Sequence, residues 1–246
     1  MFLDIAVENF RSIKEMQTLS FEADNSRHLD EYFVMEAGGY RVLKMVPILG
    51  ANASGKSNVL EVFPFLRELV LRPKNSKSEP IKYDRFALDA AWRNRDTIIA
   101  TNFICDEKRY FYRLELNNTF VRNEQLRCQP FGAKKDHLVF ERTTDEASMV
   151  SAIKWGEKYA SAEARKLQLN LTHNVTVFGS FQRSNVDLAW MKAVVDWFDE
   201  YLMPNVSPYT DLTEYTTRKI ASADIDKAQV VDLLHKADVG VDGLEI

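Results

Sequence analysis

Gly50-Ala51-Asn52-Ala53-Ser54-Gly55-Lys56-Ser57 satisfies the pattern G-x-x-x-x-G-K-[ST] at every fixed position. Each fixed residue meets a physical demand of holding a polyphosphate. Gly50 lets the chain turn sharply. Residues Asn52 to Ser57 can aim successive backbone N–H groups inward as an anion nest. Gly55 leaves room for phosphate where a β-carbon would intrude. Lys56 offers a mobile ammonium to the β- and γ-phosphates, and Ser57 offers a hydroxyl to Mg²⁺. A helix starting here would also aim its positive end at the anion. From average residue usage, four such positions coincide by chance in a chain this long roughly once in a hundred.

The flanks strengthen the reading. Val42 to Leu49 is an almost continuous apolar run, which suits a strand covered on both faces as in α/β folds. Beyond Lys56 the period changes: Val59, Leu60, Val62, Phe63, Leu66, Leu69 and Val70 recur at helical spacing. Pro64 lies inside that helix and should kink it or remove one backbone bond. Upstream, Phe2–Val7 and Gln17–Ala23 read as strands, with a polar loop at Asp24–Asp30. Between Ile98 and Leu126, alternation broken by turns at Asp106-Glu107-Lys108 and Asn117-Asn118 predicts an antiparallel meander. Leu138-Val139-Phe140 adds a short strand. Helices are expected within Glu157–Leu169, Asp187–Leu202 and Asp224–Ala237, with Gly240 just past the last. Three stretches result: 1–80 with the loop and its helix, 81–142 as an antiparallel layer, and 143–246 as a helical region. The expected fold class is α/β.

Composition bounds the rest. The 246 residues are 46% hydrophobic and 28% charged, enough apolar mass for a substantial core. A net charge of −4 gives no support to polyanion binding by the molecule as a whole. Lys134-Lys135 and Arg72/Lys74/Lys77 are short basic clusters, open to reading as solvated loops or as phosphate-backbone contacts. Cys105 and Cys128 lack metal-ligand spacing and read as buried free thiols in a reduced, cytoplasmic setting. His28, His137, His173 and His235 are scattered without partner spacing. No apolar run approaches the roughly 18 residues of a membrane span.

The segment Glu8-Asn9-Phe10-Arg11-Ser12-Ile13 follows the first strand and, taken alone, is an exposed turn. Together with Gly-Ala-Asn-Ala-Ser-Gly-Lys-Ser-Asn at 50–58, it resembles the ABC-type AAA ATPases of the OLD, RecF and SMC class. More narrowly, it resembles bacterial members found beside nucleases and toxins in phage defence. Weaker likenesses run on in order: Tyr110-Phe111-Tyr112, Glu124-Gln125-Leu126, Leu138 to Arg142, Trp197-Phe198 and Lys236 to Gly240. The resemblance implies a P-loop ATPase head that dimerises around two ATP molecules, with Gly50 to Asn58 holding the triphosphate and Mg²⁺. It implies that Arg11 and Ser12 lie near the α-phosphate or the base. Gln182 becomes a candidate sensor of metal and γ-phosphate, against the plainer reading of a loop glutamine. An effector nuclease or toxin subunit is an implied partner; nucleic acid is a further one that net charge does not favour.

Hydrolysis needs a carboxylate on Mg²⁺ and a glutamate to orient the water. Val194 to Glu200 imitates an acidic strand end, but Asp196, Asp199 and Glu200 fall on the outer side of a helical stripe. Neither the acidic pair nor a signature loop is found. We therefore expect the N-terminal portion of a longer ATPase, binding nucleotide and hydrolysing it poorly or not at all. The rivals are a RecF/SMC-type DNA-maintenance ATPase, a small-molecule phosphotransferase, which the strand-rich middle argues against, and a scaffold that keeps ATP as structural glue. A GTPase lacks its Asn-Lys-x-Asp guanine reader.

Overall fold

The computed structural model describes residues 1–207, 209–237 and 243. The chain opens with β1 (Phe2–Glu8) and β2 (Gln17–Ser20), then α1 (Asp30–Phe33) and the hairpin β3 (Val34–Ala37) and β4 (Tyr40–Leu43). An irregular stretch leads to α2 (Lys56–Leu60) and α3 (Val62–Leu71). Five strands follow: β5 (Thr97–Cys105), β6 (Lys108–Leu116), β7 (Val121–Pro130), β8 (His137–Asp145) and β9 (Val150–Trp155). Next come α4 (Ala162–Lys166), a 3₁₀ turn (Leu167–Leu169), α5 (Val177–Gln182) and α6 (Ala189–Tyr201). These belong to one compact unit, Met1–Pro204. The second unit, Asn205–Ile246, contains α7 (Thr213–Ala221) and α8 (Lys227–Lys236), the latter capped by the Asp226 carboxylate accepting from the Ala228 amide.

The fold is mixed α/β around one seven-stranded sheet of order β2-β1-β5-β6-β7-β8-β9, with every neighbouring pair antiparallel. The expected meander is present as β5–β7. The sheet runs past 142, because Val150–Trp155 forms a strand that sequence reading passed over, and the first helix after it starts only at Ala162. A one-residue register slip between Phe2 and Asp4 turns β1 over. Phe2 thereby meets Phe63 and Trp197 on one face, while Leu3 joins Val42 and Ile104 on the other.

The helices pack on the inner face. Tyr110, Tyr112, Leu114 and Leu116 of β6 alternate into the core as their spacing predicts. Met191, Val194, Val195 and Phe198 of α6 meet them, with Trp197 stacked on Phe103 at 4.2 Å. Pro64 accounts for the break between α2 and α3. It has no N–H for the Leu60 carbonyl, so the helix stops at Leu60 and restarts at Val62, which leaves the proline in a first turn where it is tolerated.

Two buried polar groups fasten β7 and β8 to the helices. Glu124 accepts from the Tyr112 hydroxyl at 2.8 Å and from the Val177 amide at 2.8 Å, so it ties the start of α5 to the sheet. Burial pushes its carboxyl up to about 7. Arg142, its cross-strand neighbour, donates to the carbonyls of Val121, Thr172, His173 and Val175 and to the Ser151 hydroxyl. At the sheet's outer edge the Gln168 amide stands in for a further strand: its oxygen takes the Ile153 N–H at 2.9 Å and its nitrogen donates to the Ser151 carbonyl at 2.5 Å.

One expectation fails. The strand predicted over Val42–Leu49 ends at Leu43. Lys44 still donates to the Phe33 carbonyl, but among the described residues no backbone partner takes the stretch from Met45 to Leu49. Met45 is 63% and Leu49 88% exposed. An apolar run becomes a strand only where neighbours bond its backbone, and β4 spends its pairing on β3 and the Phe21–Glu22 segment.

Candidate functional site

The loop from Gly50 to Ser57 lies at the end of that unpaired stretch and opens into α2. Gly55 has φ 93°, a conformation that a side chain would strain, and a β-carbon there would come 3.1 Å from the Ser12 hydroxyl. A β-carbon on Gly50 would meet the Ser54 hydroxyl at 2.9 Å. Gly55 is therefore required by conformation, whereas at Gly50 the Ser54 hydroxyl would have to turn aside. Ala53 takes φ 61° with a side chain in place. Such a left-handed alanine costs about 1 kcal/mol.

The loop's polar groups are largely unspent. Among the described residues, no acceptor takes the amides of Ala53, Gly55, Lys56 or Ser57; the Ser54 amide reaches the Ala51 carbonyl at 3.3 Å. Lys56 folds back over the loop, its ammonium 2.9 Å from the Gly50 carbonyl and 2.8 Å from that of Ala51. Donors without acceptors beside a cation form a site for an anion.

The N-terminal turn is brought against this loop. Asn58 donates to the Ser12 hydroxyl at 2.6 Å, so Ser12, Gly55 and Asn58 form one cluster. Arg11, with φ 49°, anchors its amide on the Asp84 carbonyl at 2.8 Å and extends its guanidinium to within 3.5 Å of Glu61, one helical turn beyond Ser57. The turn is held from behind by Asn9, which sequence reading left as part of an exposed loop. Asn9 is fully buried; its amide donates to the Trp92 and Arg95 carbonyls and its oxygen accepts from the Phe86 amide. Asn9 itself has φ 55°, and a residue that tolerates the left-handed region just past a strand was the available clue.

A cavity of about 630 Å³ lies beside the loop. Ser54, Gly55 and Lys56 form one side, Ser12 to Glu15 the rim, and Ile5, Val7, Gln17, Thr18, Leu19, Ile48, Leu49, Val59 and Val62 the remainder. Lys14 at the rim is engaged with Asp89 at 2.9 Å, which holds that carboxyl below its usual range.

Other candidates fall outside this cluster. Gln182 is exposed at the end of α5, and the adjacent Arg183 donates to the Lys74 carbonyl, past the end of α3 remote from the loop. On α6, Asp196 pairs with Lys192 of the same helix and Asp199 with Arg67 of α3. No group of three or more His, Cys, Asp or Glu residues able to hold a metal occurs among the described residues. Cys128 is buried and Cys105 half-buried, both as free thiols. Among the described residues no helix is long and apolar enough to cross a membrane. Of the segment Lys236 to Gly240, residues 238–240 lie outside the described residues. No family model matches the chain, and no curated protein matches it.

Proposed function

We propose that the chain binds a nucleoside triphosphate, ATP with Mg²⁺, in the loop Gly50–Ser57. The observation that carries this reading is the set of amides at Ala53, Gly55, Lys56 and Ser57 that find no acceptor among the described residues, in a loop where Gly55 holds a left-handed φ that a side chain would strain. On binding, Lys56 leaves the Gly50 and Ala51 carbonyls for the phosphates. Ser57 supplies a hydroxyl to Mg²⁺, an ion that keeps most of its shell as water and phosphate oxygen. Asn58 and Ser12 hold the loop against the N-terminal turn, and Arg11 stands at its side.

Within this reading the chain is the ATP-binding part of an ABC-type AAA ATPase, a P-loop head that dimerises on ATP. It serves as sensor or scaffold in a defence complex with a nuclease or toxin, and it works in the cytoplasm. The packing of the Asn9–Ile13 turn against the loop supports the ATPase-head part of that reading. The chain as it stands turns over little ATP, because Asp196 and Asp199 of α6 are engaged by Lys192 and Arg67 and Glu61 faces Arg11.

Nucleotide titration and phosphate release test this, with wild type set beside Lys56→Ala. Expected are micromolar ATP binding that needs Mg²⁺ and at least a hundredfold loss in the variant, since charge-assisted contacts to phosphate are worth a few kcal/mol. Equal binding by both would sink the proposal. Rapid turnover by wild type would mean that the catalytic carboxylate lies among residues assigned here to structure.

A further inference from the structure

The cavity beside the loop has a construction that phosphate binding alone does not need. Its inner wall is the face of β1 and β2 that carries Ile5, Val7 and Leu19, because the register pairs Ile5 with Leu19 and Val7 with Gln17. Cross-strand partners share a face, so Gln17 points the same way as three aliphatic side chains. Ile48 and Leu49 also line it, with Thr18 among the polar groups. Gln17 is the one carboxamide in the lining; it is exposed to the cavity, and among the described residues no protein group hydrogen-bonds its side chain. Apolar side chains with a few polar groups among them are how proteins hold a flat heterocycle and read its edge.

We infer that this cavity seats the base of the nucleotide and that Gln17 reads it as adenine. This rests on the triphosphate reading of the adjoining loop. The aliphatic side chains cover the two faces of the ring. The Gln17 oxygen accepts from the exocyclic N6–H₂ while its nitrogen donates to the neighbouring ring nitrogen, a two-point match to the adenine edge. Guanine presents acceptors at both O6 and N7, so the amide satisfies one and opposes the other. Glu15 on the rim is the only carboxylate in the lining and is the group that would favour guanine instead, since a carboxylate accepts from N1–H and N2–H. GTP is therefore the informative competitor.

Competition binding with ATP, GTP and inorganic tripolyphosphate separates the possibilities, using wild type, Gln17→Leu, Gln17→Glu and Lys56→Ala. Wild type should prefer ATP to GTP by about tenfold or more, the discrimination that a two-point base contact supplies. Gln17→Leu should bring ATP down to the GTP level and leave tripolyphosphate unchanged; Gln17→Glu preserves shape, guards against a packing defect and should turn the preference toward GTP, because its carboxylate accepts from N1–H and N2–H. Lys56→Ala should weaken all three ligands together. An ATP-to-GTP ratio unchanged in both Gln17 variants overturns the inference while leaving the phosphate site intact. A wild-type preference for GTP lost on Glu15→Gln overturns it in favour of the rim carboxylate. Failure of wild type to bind any of the three removes the nucleotide reading and this inference with it.

Discussion

The two ends of the sheet are finished in opposite ways. At β9 Gln168 takes the Ile153 N–H and the Ser151 carbonyl, and just inside it Arg142 and Glu124 are buried with their hydrogen bonds spread over strands, loop and helix. At the β2 end the chain leaves the hairpin as an apolar stretch without backbone partners among the described residues and enters a loop of spare amides and left-handed residues. One end has little left to bond; the other keeps donors, a mobile lysine and a cavity. Stability concentrates where buried polar groups are mostly bonded, and ligands are taken up where donors are spare.

The sharpest way to break this comparison is Arg142→Ala. The change removes five hydrogen bonds, strands buried carbonyls and leaves Glu124 without its only nearby cation. We expect a loss of about 3–5 kcal/mol in urea unfolding. Lys56→Ala should do the reverse, abolishing nucleotide binding with a stability change within about 0.5 kcal/mol, because its partners are exposed carbonyls. A mild Arg142→Ala, under about 1 kcal/mol, would mean that the sheet does not depend on this hub.

Glu124 gives the next largest effect, with a defined sign. Its carboxyl sits near 4.5 unfolded and near 7 when buried, so the folded protein holds the proton over a range where the unfolded chain has released it. The associated stability is fully present below about pH 4.5 and is lost as the pH rises through 7, about 3 kcal/mol in all. His173, lowered by burial, contributes in the opposite direction below its ordinary 6.5. The measurement is therefore the difference between wild type and Glu124→Gln in urea midpoint from pH 5 to 7.5. Wild type should lose stability across that window relative to the variant. A flat difference would mean that Glu124 ionises as readily inside as outside.

These residues also show where sequence reading runs out. The meander from β5 to β7 and the stripe of α6 were legible because strict alternation and three-four spacing each select one periodicity. The loop was legible because its chemistry is local. Val42–Leu49 was read as a strand from the same apolar signal, yet strand formation depends on partners that no periodicity within the run can report. The β3–β4 hairpin, β9 and the short α5 were too brief or too mixed to register. Asn9, Glu124 and Arg142 act through groups between 9 and 88 residues away, so nothing beside them in sequence announced their roles. Gln182 looked like a site residue from a resemblance, and its exposed place at the end of α5 gives it no share in the loop.

The smallest expected effect probes the strained end directly. Ala53 holds φ 61° in the middle of the candidate phosphate loop, where glycine would sit without strain. Ala53→Gly removes a cost of about 1 kcal/mol in the folded state but frees the unfolded chain by about 0.5–1 kcal/mol, so the terms nearly cancel. Urea unfolding should therefore change by no more than about 0.5 kcal/mol, and ATP affinity by less than about threefold. Gly55→Ala offers the contrast two residues on: φ 93° and the Ser12 hydroxyl at 3.1 Å leave the new methyl no comfortable place, so affinity should fall at least tenfold. If the two substitutions behaved alike, the loop would be soft enough to rearrange around either residue. Its spare amides would then reflect mobility and not a shape already set for an anion.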